Sequence, residues 1–256
     1  MTLAAKLAAD QTVFTGWSSL PDALAVEAFA ATAFETITLD MQHGGHSEDS
    51  VLRTVPIVMR AGKPAIVRIP VGRFDMASRA LDFGAEAVIA PMVNSADDAR
   101  DFAAAMKYPP LGERSWGPTF AMPRTGNASM AEWLGSSNAA TLAFAMIETR
   151  RAYEALDEIL AVDGIDGVFV GPSDFSLTWT GGRVVDPALE EMMEAVGDIA
   201  ARARAAGRHA AIYVVDPANA GRFVTMGYRL LAIGGEARFM ALGAQAQIER
   251  ARESFS

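Results

Sequence analysis

The chain has 256 residues and a mass of 27.1 kDa, and its 31 acidic and 22 basic residues leave a formal charge of −9 at pH 7. The few basic residues are scattered, which argues against a nucleic-acid-binding face. A hydrophobic fraction of 51% with 21% charged residues excludes a disordered chain. No apolar run reaches the roughly 20 residues of a membrane span. The absence of cysteine excludes disulfides, thiolate nucleophiles and cysteine-ligated zinc.

The beginning of the sequence, residues 1–10, is a short amphipathic segment without the apolar core of a signal peptide. We therefore expect a cytoplasmic protein that binds neither membranes nor nucleic acid. No Ser/Gly-rich linker, charge block or internal repeat divides the chain. One domain over residues 1–256 is therefore predicted.

Eight short β-branched or apolar runs predict strands. They cover residues 12–16, 36–40, 65–69, 87–90, 143–147, 167–170, 210–214 and 230–233. Between them, apolar residues recur at the three- and four-residue spacing of helices, over residues 23–31, 50–61, 76–83, 96–106, 153–161 and 187–206. Eight strand–helix units in about 250 residues predict an α/β fold of the (β/α)8 TIM-barrel type, with a doubly wound open sheet as the alternative.

Residues 107–138 interrupt this alternation with many prolines and glycines. The segment is much longer than an ordinary connection, so it is predicted to be a functional loop or lid. A disordered insertion is the alternative. A last helix is predicted at about residues 236–252.

Polar residues stand where several predicted strands end, which is the active-site face of a barrel. The two-residue period of a strand places Asp40, Arg68 and Glu148 on the faces that are expected to point into the barrel. His43 and Asp174 follow in the adjoining loops. Each alone has an ordinary interpretation: a carboxylate can cap a helix, Arg68 can neutralise a surface acid, and His43 can be a satisfied loop residue. Together, three acids around one arginine are costly without a cation or substrate.

This set of side chains suggests metal-assisted chemistry. Glu148 and Asp174 suit a hard divalent cation such as Mg²⁺ or Mn²⁺, with water and substrate in the remaining positions. The backbone amides of the Gly171–Asp174 turn can hold a substrate carboxylate. His43, oriented by Asp40, is a candidate general base, and Arg68 can stabilise an enolate oxygen. His46 and His209 are interpreted as structural.

The lysines exclude one competing mechanism. A Schiff-base aldolase needs a lysine that reaches the substrate, and the chain has only Lys6, Lys63 and Lys107, none of them at the carboxyl end of a predicted strand. Carbonyl activation is therefore expected to come from a metal ion. Trp17, after the first strand, and Tyr213, near the end of the seventh, either line the pocket or belong to the core.

Several segments resemble the metal-dependent class II pyruvate aldolases, a family that includes 4-hydroxy-2-oxoheptanedioate aldolase and 2-dehydro-3-deoxyglucarate aldolase. The likeness extends through nearly the whole chain, and its motifs are residues 37–43 (ITLDMQH), 67–68 (VR), 108–115 (YPPLGERS), 147–149 (IET) and 164–176 (GIDGVFVGPSDFS). The last of these is the most specific.

The resemblance implies reversible aldol cleavage of 4-hydroxy-2-oxo acids into pyruvate and an aldehyde. It implies that Glu148 and Asp174 hold the metal, with Co²⁺ and Zn²⁺ as alternatives to Mg²⁺ and Mn²⁺, and that Arg68 contacts the keto oxygen. His43 with Asp40 would transfer protons, and the Ser173 and Asp174 amides would bind the carboxylate. It also implies a homohexamer, a trimer of dimers in which the last helix packs on a neighbour.

Two departures from the family pattern bear on substrate range. Met146 stands where the family usually has glutamine, and Glu236 replaces an aspartate after the eighth strand. Such changes could admit hydroxypyruvate as well as pyruvate. Two rival functions remain: a barrel lyase or isomerase that forms an enolate on a phosphorylated or CoA-linked substrate, with a phosphate site at Gly234 and Gly235, and a sensor that retains the site without turnover.

Overall fold

The computed structural model describes residues 1–126 and 129–255. Eight parallel strands form a closed barrel in which each strand pairs with the next along the chain and the eighth pairs with the first. The strands are β1 Val13–Ser18, β2 Thr36–Asp40, β3 Ala65–Arg68, β4 Ala87–Ala90, β5 Leu142–Ile147, β6 Gly167–Val170, β7 His209–Val214 and β8 Leu230–Gly235. The predicted TIM barrel is thus confirmed, and the open-sheet alternative is wrong.

Helices surround the barrel. They are α1 Leu3–Ala8, α2 Ala23–Ala30, α3 Glu48–Arg60, α4 Asp75–Phe83, α5 Ala96–Met106, α6 Ala121–Thr125, α7 Met130–Ala140, α8 Arg150–Glu154, α9 Leu156–Leu160, α10 Pro172–Trp179, α11 Glu190–Ala205, α12 Ala220–Met226 and α13 Glu236–Glu253. A 3₁₀ turn, Pro217–Asn219, precedes α12. None of the helices in the described ranges has both the length and the apolar character of a transmembrane segment.

The alternation of side chains along each strand separates two cores. Inward-facing residues such as Ile66, Phe144 and Phe169 fill the barrel. Outward-facing neighbours such as Val67 and Val168 pack in a larger cluster with the helices. Because both faces are buried, the strands read as continuous apolar runs. Leu3 and Leu7 of α1 join the inner cluster and close the amino end of the barrel.

Local signals set the helix boundaries. The side chains of Asp22, Ser47, Ser95 and Thr149 accept hydrogen bonds from first-turn amides of α2, α3, α5 and α8. Gly84 and Gly227 adopt left-handed conformations after α4 and α12, with φ of 110° at each. Helices α4 and α12 therefore end where β4 and β8 can begin.

The prediction that residues 107–138 form one long loop is wrong. Part of it is helical, in α6 and most of α7, while residues 127 and 128 lie outside the described residues. The Lys107 ammonium, fully buried, donates to the carbonyls of Asn138 and Thr141 and to the Asp166 carboxylate. Thr141 and Asp166 directly precede β5 and β6, so this anchor lies at the amino end of the barrel. The segment is therefore anchored at the amino end of the barrel, opposite the carboxyl ends of the strands.

Candidate active site

A cavity of about 290 Å³ opens at the carboxyl end of the strands. The nine residues that the sequence singled out as catalytic, substrate-binding or metal-binding all line it: Trp17, Asp40, His43, Arg68, Glu148, Gly171, Ser173, Asp174 and Tyr213. They come from β1, β2, β3 and β7 and from the segments that follow β2, β5 and β6. The barrel thus brings together side chains that are far apart in sequence.

A buried ion pair forms one wall of the cavity. Arg68 donates from Nε to Asp40 Oδ1 at 2.8 Å and from its terminal nitrogen Nη2 to Oδ2 at 2.6 Å. The two residues lie opposite each other in the β2–β3 register. Burial opposes ionisation of Asp40, but the hydrogen bond and charge of Arg68 outweigh it and lower the pKa of the carboxyl below its usual value. Asp40 is therefore ionised and fixes the plane of the Arg68 guanidinium.

Trp17 supports the same pair from β1. Its indole Nε1 donates to Asp40 Oδ2 at 3.2 Å, and the guanidinium of Arg68 lies 4.8 Å from its ring centroid. The ring of Tyr213 meets Trp17 edge-on at 5.2 Å. β1 extends to Ser18, so Trp17 lies inside the strand rather than after it. Trp17 belongs to the barrel core and also lines the cavity, so both of the roles considered from sequence apply to it.

Glu148 is the most perturbed acid of the cavity. Its side chain is only 2% exposed, and its Oε1 accepts a hydrogen bond from the Met92 amide at 2.7 Å. Burial raises the pKa of Glu148 to about 7, and the charge of Asp174 adds to the increase. Two nearby carboxylates with little solvent gain stability from a bound cation.

Helix α10 points its amino end into the cavity. Gly171 precedes the helix, Pro172 occupies its first position, and Ser173 and Asp174 complete the first turn. Proline is favoured there because the amide it lacks would have no partner within the helix. Among the described residues, the first α10 amide with a backbone partner is that of Phe175, which bonds to Gly171. The Ser173 and Asp174 amides are thus available to an anion.

His43 reaches the cavity from the loop after β2, and its side chain is exposed. Asp40 Oδ1 accepts from the backbone amides of Gln42 and His43, at 3.0 and 3.3 Å. The carboxylate therefore contacts the backbone of His43 and not its imidazole. This corrects the expected orientation of the ring by Asp40: the carboxylate holds the backbone of the loop, and none of the described residues gives the His43 ring a hydrogen-bond partner.

Glu148 and Asp174 fit a divalent cation. Within the described ranges, neither Oε2 of Glu148 nor the Asp174 carboxylate has a hydrogen-bonded protein partner. A β-carbon at position 171 would lie 2.6 Å from Glu148 Oε2, so glycine keeps the space beside this oxygen open. No group of three or more potential His, Cys, Asp or Glu ligands occurs in the described part of the chain. Two carboxylates would leave the other coordination positions to water and substrate.

Sequence reasoning missed several supporting contacts. Ser19 also lines the cavity, and its amide donates to Glu236 Oε2 at 2.9 Å. Glu236 is thus a buried support of the β1 loop, outside the lining of the cavity. The Met92 amide belongs to a residue with a left-handed backbone, φ of 55°, after β4. No residue-type signal identifies a backbone amide, but the strand-end rule applied to β4 would have indicated this loop.

His46 is buried between two hydroxyls. Its Nε2 lies 3.0 Å from Ser18 Oγ and its Nδ1 lies 3.1 Å from Ser50 Oγ. His209 begins β7, at the opposite end of the barrel from the cavity. Neither histidine lines the candidate site, in agreement with their structural interpretation.

The family model described as HpcH/HpaI aldolase/citrate lyase matches residues 14–241. The hydroxypyruvate/pyruvate aldolase of Roseovarius nubinhibens is 32% identical over 251 residues, which are 98% of this chain and 96% of that protein. The 4-hydroxy-2-oxo-heptane-1,7-dioate aldolase of Salmonella typhimurium is 32% identical over 234 residues, 91% of this chain and 88% of that protein.

Among solved structures, the HpcH/HpaI aldolase from Desulfitobacterium hafniense superposes with a TM-score of 0.89 at 28% identity. The alignment covers 99% of this chain and 97% of that one. The relatives and the solved structure thus match the whole barrel and not only its motifs. The chain belongs to the HpcH/HpaI aldolase/citrate lyase family.

Proposed function

We propose that the protein catalyses reversible, metal-dependent aldol cleavage of a 4-hydroxy-2-oxo acid into an aldehyde and pyruvate or hydroxypyruvate. The observation that carries this proposal is the convergence in one cavity of Arg68, the amino end of α10, and the Glu148–Asp174 pair. A 2-oxo acid presents a carboxylate and a keto oxygen side by side, which matches a cavity lined both by the free amides of α10 and by the guanidinium of Arg68. The names of the relatives are consistent with this substrate class.

Each oxygen of the donor has a complementary group in the cavity. The free amides of Ser173 and Asp174 would bind the carboxylate, since a helix amino end favours negative charge. The guanidinium of Arg68, fixed by Asp40 and Trp17, would donate to the keto oxygen. That oxygen gains negative charge when the donor becomes an enolate, so a pre-positioned guanidinium lowers the barrier.

Glu148 and Asp174 are the residues that would hold the divalent metal ion, Mg²⁺ or Mn²⁺ by their oxygen chemistry, with Co²⁺ or Zn²⁺ as alternatives. When bound, the ion supplies positive charge that polarises the carbonyl group and acidifies the adjacent carbon. The open space next to Gly171 supports room for this ion beside Glu148.

His43 is the proposed proton-transfer group. Its imidazole is exposed at the cavity, so it can exchange protons with solvent and with the donor carbon. Asp40 acts as a positioning residue, because it fixes the Arg68 guanidinium and the backbone of the His43 loop. Tyr213 and Trp17 form the apolar wall against which the substrate chain would pack.

The rival function on a phosphorylated or CoA-linked substrate finds less support. Neither Gly234 nor Gly235 lines the cavity. A β-carbon at position 234 would lie 2.6 Å from the ring of Phe239, so this glycine is covered by an aromatic side chain. The surface at these two glycines therefore offers little room for a phosphate group.

We also propose that the protein is cytoplasmic and works as a homo-oligomer, a hexamer by resemblance to its family. The support is α13, which begins beside the site and exposes Met240, Leu242 and Ile248 by 59%, 57% and 47%. Met240 and Ile248, eight residues apart, lie on one side of this helix, and an exposed apolar patch of this kind supports a protein contact there.

A pyruvate-release assay tests the proposed function. The purified protein is incubated with 4-hydroxy-2-oxo acids, then with EDTA, and finally with Mg²⁺ or Mn²⁺ added back. We expect pyruvate or hydroxypyruvate to form, to stop on chelation and to resume on metal addition. Activity that survives complete chelation would contradict the metal-dependent mechanism, and absence of cleavage across the panel would contradict the aldolase proposal.

A further inference from the structure

A second cavity, of about 270 Å³, lies at the opposite end of the barrel from the candidate active site. It is formed by the end of α11, the beginnings of β7 and β8, and the turn after α1. Its lining includes four basic residues, Arg204, Arg208, His209 and Arg229, and a single acid, Asp10. The cavity is therefore positively charged, whereas the chain as a whole has a net charge of −9.

The charges in this cavity are incompletely paired. Arg229 donates to both carboxylate oxygens of Asp10, at 2.9 and 3.1 Å. Within the part of the chain that the structure describes, Arg208 donates only to the backbone carbonyls of Leu160 and Val162, at 3.3 and 3.5 Å, and these contacts do not neutralise the guanidinium. Among the described residues, Arg204 and Arg208 have no ion-paired carboxylate, because the nearby Asp166, whose charge acts on His209, is paired with Lys107.

Arg204 stands at the rim of the same cavity. In the described part of the chain it has no hydrogen-bonded or ion-paired partner, although its charge helps to lower the pKa of Asp10 after the larger effect of the Arg229 hydrogen bond. The last turn of a helix favours a positive charge, and this accounts for the presence of Arg204 at the end of α11. It does not account for the convergence of Arg208 and Arg229 from other elements on the same hollow.

We propose that this cavity is a binding site for a small, multiply charged oxyanion of the phosphate type, either inorganic phosphate or a phosphate monoester. Guanidinium groups present planar pairs of donors that match phosphate oxygens. His209 adds a ring nitrogen that donates or accepts, and Gly207 leaves the rim open, since a β-carbon there would contact nothing within 4 Å. An anion there would relieve the repulsion among the arginines.

The two sites are separate but share a strand. His209 and Tyr213 lie on the same face of β7, four residues and roughly 13 Å apart along the strand. A phosphate-type ligand in the second cavity therefore leaves the active-site cavity free. The proposal stands whether or not the protein is an aldolase, since none of its residues takes part in the proposed reaction.

Calorimetric titration of the full chain with inorganic phosphate, at ionic strength held constant with chloride, tests the proposal. We expect saturable binding by the wild type that is at least about tenfold weaker in the double variant Arg204→Gln/Arg208→Gln, because hydrogen bonds between charged groups are lost. Arg202→Gln is the matched control, since Arg202 lies on the same helix but pairs with Asp157 and Asp198. It should bind phosphate like the wild type.

Two further arms keep the test decisive. Glycerol phosphate in place of inorganic phosphate distinguishes a monoester site from a site for the free ion. The single variant Arg204→Gln, at an exposed residue, serves if the double variant does not fold, and it too should bind more weakly. Unchanged affinity in a folded Arg204 variant, loss of binding in Arg202→Gln alone, or no saturable binding by the wild type would overturn the proposal.

Discussion

Asp40 accepts five hydrogen bonds from the residues that the structure describes, and their number defines what this residue can do. The donors are Nε and Nη2 of Arg68, the indole of Trp17, and the amides of Gln42 and His43. A carboxylate occupied in this way holds its partners in place and has little capacity left to accept a proton. Breaking a buried ion pair typically costs about 3–5 kcal/mol, so Arg68 is held firmly for its role. Pre-positioned charge of this kind stabilises an enolate without reorganisation.

Met146 gives a test of donor selectivity. Its apolar side chain lines the cavity, at the position where the resemblance to the family led us to expect glutamine. We predict that Met146→Gln raises the ratio of kcat/KM for hydroxypyruvate over pyruvate by about tenfold, because an amide in the wall can hydrogen-bond the additional hydroxyl. This direction is the reverse of the expectation from sequence that methionine at this position admits hydroxypyruvate. The measurement is the rate of aldol addition to one aldehyde with each donor under identical metal conditions.

Met146→Leu is the matched control for this prediction. It keeps an apolar wall of similar volume, so the donor ratio should stay near that of the wild type. An equal change of the ratio in both variants would mean that packing, and not the amide, sets donor choice. An unchanged ratio in Met146→Gln would remove Met146 from the determinants of substrate range.

His46 predicts a specific pH dependence of stability. Burial lowers the pKa of His46 below its usual value, despite the opposing charges of Glu236 and Asp40. As the pH falls below about 6.5, the unfolded chain takes up a proton at this residue while the folded chain resists it. Unfolding is therefore favoured by acid, and His46 contributes stability at high pH that is lost as the pH falls.

Replacement of His46 by glutamine separates this effect from other titrations. At pH 8 the variant should be less stable by about 1 kcal/mol or more, because the hydrogen bonds to Ser18 and Ser50 are weakened. At pH 5.5 the difference from the wild type should shrink. Urea unfolding at both pH values measures it, with His43→Gln, at an exposed position, as the control. A difference that grows on acidification would refute the assignment.

At the scale of elements, the strand period accounts for much of the candidate site. The sequence places Asp40, Arg68 and Glu148 on inward faces because hydrophobic runs of period two end in a charged residue. The structure brings all three to one cavity. The contacts that tune them could not be predicted in this way. The Met92 amide and the five bonds to Asp40 depend on loop backbone geometry, which residue types do not encode.

The segment between α5 and β5 shows where pattern reading fails. Its prolines and glycines indicate a loop, whereas α7, with the sequence MAEWLGSSNAA, forms a helix with small residues and no clear apolar stripe. Ser129 precedes the helix and caps it, because its side chain accepts from the Glu132 amide. The sequence thus contains a capping signal, but without a clear apolar stripe after it this signal alone does not predict a helix. Tertiary anchoring by Lys107, which links residues 31 to 59 positions apart, is not visible in any local window.

Gly171, in the turn between β6 and α10, allows a test of Glu148 as a metal ligand, because alanine there would add a single methyl group beside its carboxylate. A β-carbon at position 171 would lie 2.6 Å from Glu148 Oε2 and 3.0 Å from the Met146 methyl. The backbone there, with φ of −97°, is open to any residue, so the expected effect is steric. Gly171→Ala should shift the Glu148 carboxylate and weaken Mn²⁺ binding by about 10- to 100-fold, as measured by calorimetry.

Gly135→Ala provides the matched control for this substitution. Gly135 lies in α7, and a β-carbon there would contact nothing within 4 Å. Alanine in a helix is favoured over glycine by about 0.5–1 kcal/mol, so this variant should be slightly more stable and bind Mn²⁺ normally. Normal Mn²⁺ affinity in a folded Gly171→Ala protein would argue against Glu148 as a metal ligand.

At the scale of the whole molecule, the closed barrel separates two ends with different tasks. The carboxyl end carries the acids and the arginine of the candidate active site, and the amino end is closed by α1 and anchored by the buried Lys107. The number and order of the strands were predictable, because alternating apolar runs and amphipathic helices permit few other topologies. The motifs also identified the family, which the match over residues 14–241 confirms. Assembly is not encoded so plainly.

Helix α13 gives the prediction that concerns assembly. Beyond Glu236, which is buried, the helix is mostly exposed and carries Met240, Leu242 and Ile248 into solvent. Exposed apolar surface of this extent is costly in an isolated chain, so we expect a second copy to cover it. Wild-type protein should therefore elute as an oligomer, with the hexamer as the expected state, when its mass is measured by light scattering after size-exclusion chromatography.

The double variant Met240→Lys/Ile248→Lys should lower that mass, because two charged side chains would have to be buried without partners. Ala246→Lys, an exposed position on the opposite side of the same helix from Ile248, is the control and should leave the mass unchanged. The Asp40–Arg68 pair and the Glu148 wall are internal to one barrel, so a dissociated variant should keep its fold, as judged by circular dichroism. A wild type that is monomeric at micromolar concentration, or a double variant of unchanged mass, would show that α13 does not mediate assembly.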